Sequence, residues 1–234
     1  RNAALRAVRT THYIVLDVDL WPSSGLHDAV LAAPTLLLRR KFAALVVPAF
    51  QFDLDAPAAA GGSDAAASRY YESAFLRLPC TQTELRACLD ARRCSTFYAR
   101  SSPETHSSTP YEAWWRAPPG ADVLPIQCFK NPRYEPYVVL PNQPTTPAYS
   151  EQFTGYGKNK IELVTHLRFA GFRFYALPGG FVTHMPHAKS QEKISWESGP
   201  HRHKMDHAYK ELVTQLVARY KRPRTPSCNP GRLL

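Results

Sequence analysis

The stretch Tyr13-Ile14-Val15-Leu16-Asp17-Val18-Asp19-Leu20-Trp21-Pro22 constrains this chain more than any other, because an apolar run ends in two carboxylates one residue apart. An unbroken series of β-branched and aromatic residues reads as a buried strand, and in an extended chain residues i and i+2 face the same side. Asp17 and Asp19 are therefore expected to converge on one ligand. Trp21 to Gly25 carry loop chemistry, which puts the acids at the carboxyl edge of the strand, where open α/β sheets bind ligands. That is the position for a divalent cation holding a diphosphate. A second acid pair, Asp53-Leu54-Asp55, follows the apolar run from Ala43 to Phe52 but leads into alanine, glycine and serine, which reads as a surface loop.

The 234 residues are expected to form a single domain with a sizeable core. No stretch approaches the apolar length that spans a bilayer, and the N-terminus lacks the apolar region of a signal peptide. The chain opens like the middle of a helix, as a piece of a longer protein would, with any membrane anchor and earlier strands upstream. The net charge of +10 favours acidic partners such as nucleotide diphosphates and uronic-acid glycans. Nucleic acid is not expected as a partner, since no motif joins the charge. The five cysteines show no C-x-x-C spacing, so a zinc cluster is not expected; disulfides in a secretory compartment and buried thiols both remain open.

Strand, helix and strand in succession suggest a parallel α/β sheet. After the acids, Ser24 is placed to cap a short helix with Leu26, Val30 and Leu31 inward, interrupted by Pro34. Residues 56–68 read as a flexible insertion. Thr81-Gln82-Thr83-Glu84 is a capping box opening a helix through Leu85 and Cys88. From Ser101 to Pro147 aromatics alternate with prolines, and Trp114, Trp115, Tyr134 and Tyr137 are candidates to stack on sugar rings or to fill a loop-rich core. In Gly155-Tyr156-Gly157-Lys158-Asn159-Lys160 the glycines allow a tight turn opening a helix that Gly171 stops, with Asn159 and Glu162 in a capping arrangement. A strand then ends at His184-Met185-Pro186-His187, and imidazoles beside carboxylates make a workable metal set. Residues 194–234 form an amphipathic helix, with Met205, Tyr209, Leu212, Val213, Leu216, Val217 and Tyr220 on its apolar stripe, and a basic tail.

These segments, in order, resemble glycosyltransferase family 49, the family of LARGE-type glucuronyltransferase domains. The matching pieces are Tyr13 to Pro22, Ala44 to Phe50, Tyr134-Glu135-Pro136-Tyr137-Val138-Val139, Phe153 to Lys160, and His184-Met185-Pro186-His187-Ala188. The resemblance implies a GT-A-like fold with a mixed, mostly parallel sheet and flanking helices. It implies Mn2+, a UDP-sugar donor with glucuronic acid as the sugar, and inverting transfer to an oligosaccharide or glycoprotein hydroxyl in the Golgi lumen. Carried onto this chain, Asp17 and Asp19 match the acid pair and His184 the strand-end histidine, with His187 as its alternate. Asp17, Lys158 and Lys160 would meet the donor diphosphate. Tyr134, Glu135, Tyr137, Gly155, Tyr156, Gly157 and Asn159 of the matching pieces, with Trp114 and Trp115 of the proline-aromatic stretch, would line the substrate.

Related inverting enzymes carry an acidic pair after the Gly-x-Gly turn, where this chain has Asn159-Lys160. The catalytic base is therefore sought among Glu151, Glu162 and Glu135. The alternative is a non-catalytic glycan-binding module on the same fold.

Overall fold

The computed structural model describes residues 1–53, 64–118, 120–185, 187 and 191–229. Helix α1 (Asn2–Ala7) leads into β1 (His12–Ile14), and after a turn at Val18 and Asp19 the chain enters β2 (Leu20–Pro22). Helices α2 (Leu26–Ala32) and α3 (Thr35–Leu38) are followed by β3 (Ala43–Val47) and β4 (Ala49–Phe52). Then come α4 (Asp64–Phe75), α5 (Gln82–Asp90), β5 (Cys94–Thr96), α6 (Tyr111–Arg116), β6 (Leu124–Ile126) and β7 (Tyr137–Pro141). The chain ends with α7 (Asn159–Phe169), β8 (Arg173–Ala176), β9 (Val182–His184), α8 (Gln191–Ser198) and α9 (His201–Tyr220).

The strands form two sheets, ordered β1-β7-β3-β8-β6 and β2-β9-β4-β5. Three chain segments pass from the first into the second. Pro48, which has no amide hydrogen to donate, divides the apolar run Ala43–Phe52 into β3 and β4. Pro178-Gly179-Gly180, with Gly179 at φ +81°, divides β8 from β9. The turn at Val18, whose side chain is 97% exposed, divides β1 from β2. The acid pair thus lies at a seam between sheets.

The sequence suggested a mostly parallel order; the sheets are mixed, with β3–β8 and β4–β9 parallel and the other described ladders antiparallel. The mixed α/β architecture with flanking helices is that of a GT-A-like domain. The antiparallel ladders come from β1, β2, β5, β6 and β7, whose pairing depends on partners far away in sequence.

Strand β3 shows why the centre is layered. Its residues are all buried, with alternate side chains facing opposite cores. Ala43, Leu45 and Val47 pack with Leu26 of α2 and Leu37 of α3, while Ala44 and Val46 pack with Leu163, Val164 and Leu167 of α7. Helix α7 is covered on its other side by Met205, Tyr209, Leu212, Val213 and Leu216 of α9, the stripe read from the sequence. The tail after α9 returns to the body: Cys228 is bridged to Cys128, and the Phe129 amide donates to the Pro226 carbonyl at 2.8 Å. A second disulfide joins Cys88 to Cys94.

Trp21 and Pro22 belong to strand β2 rather than to a loop, because β9 supplies an antiparallel partner. Ser24 gives its hydroxyl to the Cys80 carbonyl and Gly25 occupies the helix cap, while Leu31 stays 65% exposed. Of the small-residue tract, 54–63 lie outside the described residues, and from Asp64 the chain is helical, consistent with the helix propensity of alanine. The Thr81 capping box is present with both of its hydrogen bonds.

Candidate metal centre

The register of β2 against β9 pairs Leu20 with His184, so the last residue of β9 arrives beside the acid that precedes Leu20. The Met185 amide donates to the Asp19 carbonyl at 2.8 Å and extends the pairing one step further. Two imidazoles face one carboxylate oxygen as a result: Asp19 Oδ2 lies 3.2 Å from His184 Nε2 and 2.8 Å from His187 Nε2. The ligand atoms of Asp19, His184 and His187 all lie within 4.8 Å of one another. Burial alone would raise the Asp19 carboxyl, but hydrogen bonds from both imidazoles and the charge of His184 hold it well below the usual carboxylate range. The Nδ1 of His184 is buried and has no hydrogen-bond partner among the described residues, so Nε2 is the working face of this ring. One carboxylate and two imidazoles form a donor set suited to a divalent transition-metal ion.

Asp17 turns elsewhere. The sequence suggested one buried strand whose alternation would put Asp17 beside Asp19, but β1 is half-buried and ends at Ile14, and the chain then turns at Val18 and Asp19, closed by the Leu20 amide on the Asp17 carbonyl at 3.1 Å. Its Oδ2 accepts from Lys160 Nζ at 2.8 Å and from the Tyr137 hydroxyl at 2.8 Å, and Arg1 stands 3.5 Å from Oδ1. Burial works against the Asp17 charge, yet Lys160, Tyr137 and Arg1 together keep its carboxyl below the ordinary range. Lys160 also donates to the Tyr137 hydroxyl at 2.7 Å and lies over its ring. Behind this triad the buried His106 stacks on Tyr137, and burial, then the charge of Lys160, lowers its pKa to about 3. His106 carries no motif that would single it out in the sequence; only the fold brings it here.

Glu135 is half-buried near the same triad. Burial raises its carboxyl, and the nearby Asp17 pushes in the same direction while Lys160 opposes. The other carboxyl candidates stand apart. Glu151 is exposed and touches Asn2 at 3.4 Å. Glu162 is fully buried, accepts from the Ser150 amide at 2.9 Å, and is pushed up to about 8 by burial. It does not cap α7; Lys158 holds the cap in the left-handed region, and Asn159 donates to the Gly155 carbonyl.

Lys158 is drawn away from the acids by α9, with Nζ 3.0 Å from Asp206 and lying over the Tyr209 ring. Gly155, Tyr156 and Gly157 pack against α8 and α9 through Trp196 and His201. Trp114, 1% exposed, donates its indole N–H to the Leu177 carbonyl, and Tyr134 is sealed beside Thr109, so neither presents a face to a sugar. Trp115 packs on Phe50 and Trp114 beneath Arg86. Of the aromatic candidates, Tyr137 reaches the acids. A groove of about 870 Å3 opens over Asp17 and Asp19, walled by Trp21, Phe75, Met185 and His187, a volume within the usual range for small-molecule sites.

A family model described as glycosyl-transferase for dystroglycan matches residues 1–221. The chain is similar to the xylosyl- and glucuronyltransferase LARGE2 of Rattus norvegicus, 32% identical over 222 residues, covering 94% of this chain and 28% of that relative. It is 31% identical to LARGE2 of Homo sapiens over 223 residues, 94% of this chain and 27% of the relative. With LARGE1 of Homo sapiens it shares 28% identity over 199 residues, 85% of this chain and 23% of the relative. The chain spans about a quarter of the length of these relatives.

Proposed function

The chain belongs to the family of glycosyltransferases for dystroglycan, and from that membership we propose that it is the catalytic region of a metal-dependent, inverting glycosyltransferase. In this reading it moves glucuronic acid from UDP-glucuronate to a hydroxyl of an oligosaccharide or glycoprotein acceptor. The observation that carries it is the meeting of Asp19, His184 and His187 at the rim of a groove large enough for a nucleotide sugar.

Asp19, His184 and His187 would hold a divalent cation, with Mn2+ as the proposed ion. When bound, the ion supplies Lewis-acid neutralisation of the diphosphate leaving group, a contribution of several kcal/mol. Lys160 adds a second positive charge at the acids, and Asp17 and Tyr137 fix its position from below. Asp17 in this account positions Lys160 rather than ligating the metal. Glu135 takes the proton of the acceptor hydroxyl, its raised carboxyl bringing its basicity closer to neutral pH. The acceptor oxygen forms the new bond to the anomeric carbon as the bond to the diphosphate breaks, and the diphosphate leaves with the electron pair.

The two disulfides support a site of action in an oxidising compartment, for which the Golgi lumen is proposed. No helix among the described residues is long and apolar enough to cross a membrane. The test is release of UDP from UDP-glucuronate by the purified chain with Mn2+ and a xyloside acceptor. The reading expects turnover that chelator abolishes and that falls by more than about a hundredfold in Asp19→Ala. Equal turnover in chelator, or in Asp19→Ala, overturns it.

A further inference from the structure

Strand β2 presents Trp21 on its open side two residues after Asp19, and α4 brings Phe75 against it, ring centroids 4.6 Å apart at 63°. Trp21 stays 40% exposed and Phe75 46% exposed, both facing the groove that contains Asp19 and His187. Large aromatics left half open beside a polar cluster form the kind of surface on which a pyranose lays its C–H face, the ring quadrupole complementing the weakly positive hydrogens.

The charges of the groove divide it. Arg1 of its lining and the nearby Lys160 both pair with Asp17, so the cations of this region gather at the Asp17 end, where they offset the carboxylates there. The Trp21–Phe75 end is lined by Glu72 and Tyr71 of α4. A carboxylate there repels a diphosphate or a uronate and accepts hydrogen bonds from neutral sugar hydroxyls. Resting on the transferase reading, we propose that Trp21 and Phe75 form the platform for the acceptor sugar, and that Glu72 selects an acceptor ending in an uncharged pyranose.

Saturation-transfer NMR on the whole chain tests this, with methyl β-xyloside and methyl β-glucuronide as probes. The wild type is expected to pass saturation to the ring protons of the xyloside and far less to the glucuronide. In Trp21→Ala and Phe75→Ala the xyloside signal should fall, with acceptor KM rising about tenfold, the loss of one stacking contact. Trp21→Tyr should restore both, which a mere loss of fold would not do, and thermal unfolding of each variant confirms that it is folded. Glu72→Lys should raise the glucuronide signal at least to that of the xyloside. A xyloside signal that survives in both alanine variants, or that is absent in the wild type, overturns the platform. Glucuronide preference unchanged in Glu72→Lys overturns the selection by Glu72. The transferase reading fails on a different observation, the absence of UDP release by the wild type, and the NMR outcome stands whichever way that falls.

Discussion

Glu162→Gln should change how the stability of this protein depends on pH. The Glu162 side chain is fully buried, and burial raises its pKa from 4.5 to about 8, so it is neutral near pH 7 in the folded chain. The unfolded chain releases this proton above its ordinary pKa. Between these two values the folded state binds more protons than the unfolded one, so stability falls as pH rises from about 4.5 to about 8 and is level above that. A gap of about three and a half pH units, at about 1.4 kcal/mol each, makes the whole loss roughly 5 kcal/mol.

Glutamine keeps an acceptor for the Ser150 amide and does not titrate, but its amino group enters a place where Oε2 has no partner among the described residues, costing about 1–2 kcal/mol. The variant should therefore be less stable than wild type at about pH 5 and more stable, by roughly 3 kcal/mol, at about pH 8. For a chain of this size that is a rise in Tm of roughly 6–12 °C at the higher pH. Thermal unfolding followed by circular dichroism across this range is the assay. Parallel curves of Tm against pH for the two proteins would refute the reasoning. Glu162 lies on α7 two residues after Lys160, so the same titration bears on how firmly that helix presents its lysine.

Gly157 stands at φ +92°, and a Cβ there would lie 2.5 Å from Trp196 ring carbons. Gly157→Ala should lower the unfolding free energy by about 1–3 kcal/mol, measured as a shift in urea midpoint, and an unchanged midpoint would count against the docking of this turn on α8. The Cys128–Cys228 bridge closes a 100-residue separation and the Cys88–Cys94 bridge one of 6 residues. Replacing the first pair by alanine should cost about 2–4 kcal/mol and the second pair less, and denaturant titrations giving the reverse order would contradict the loop-closure argument.

The sequence was readable where the information was local. The capping box at Thr81 and Glu84, the apolar stripe of α9 and the stop at Gly171, found at φ +105°, each need only neighbouring residues. The approach of His184 to Asp19 was also legible, because a strand-end histidine in this position resembles the family pattern. That Asp17 pairs with Lys160 and Tyr137 while Asp19 pairs with two histidines was not, since it depends on residues more than a hundred positions away from the two acids. The capture of Lys158 by Asp206 and the burial of Trp114 and Tyr134 are likewise long-range outcomes that composition does not encode. Pro48 was visible, but that it would send one apolar run into two sheets follows only from the partners waiting on each side.

Calorimetric titration of Mn2+ into the protein in the presence of UDP tests the proposed centre most directly. The account predicts one strong site in the wild type, weakened by about a hundredfold or more in Asp19→Ala and in His184→Ala, and held within about threefold in Asp17→Asn, which leaves the three ligand side chains in place. An Asp17→Asn loss as large as that of Asp19→Ala would contradict the division of labour between the two aspartates, and a wild type that binds no ion would contradict the centre itself.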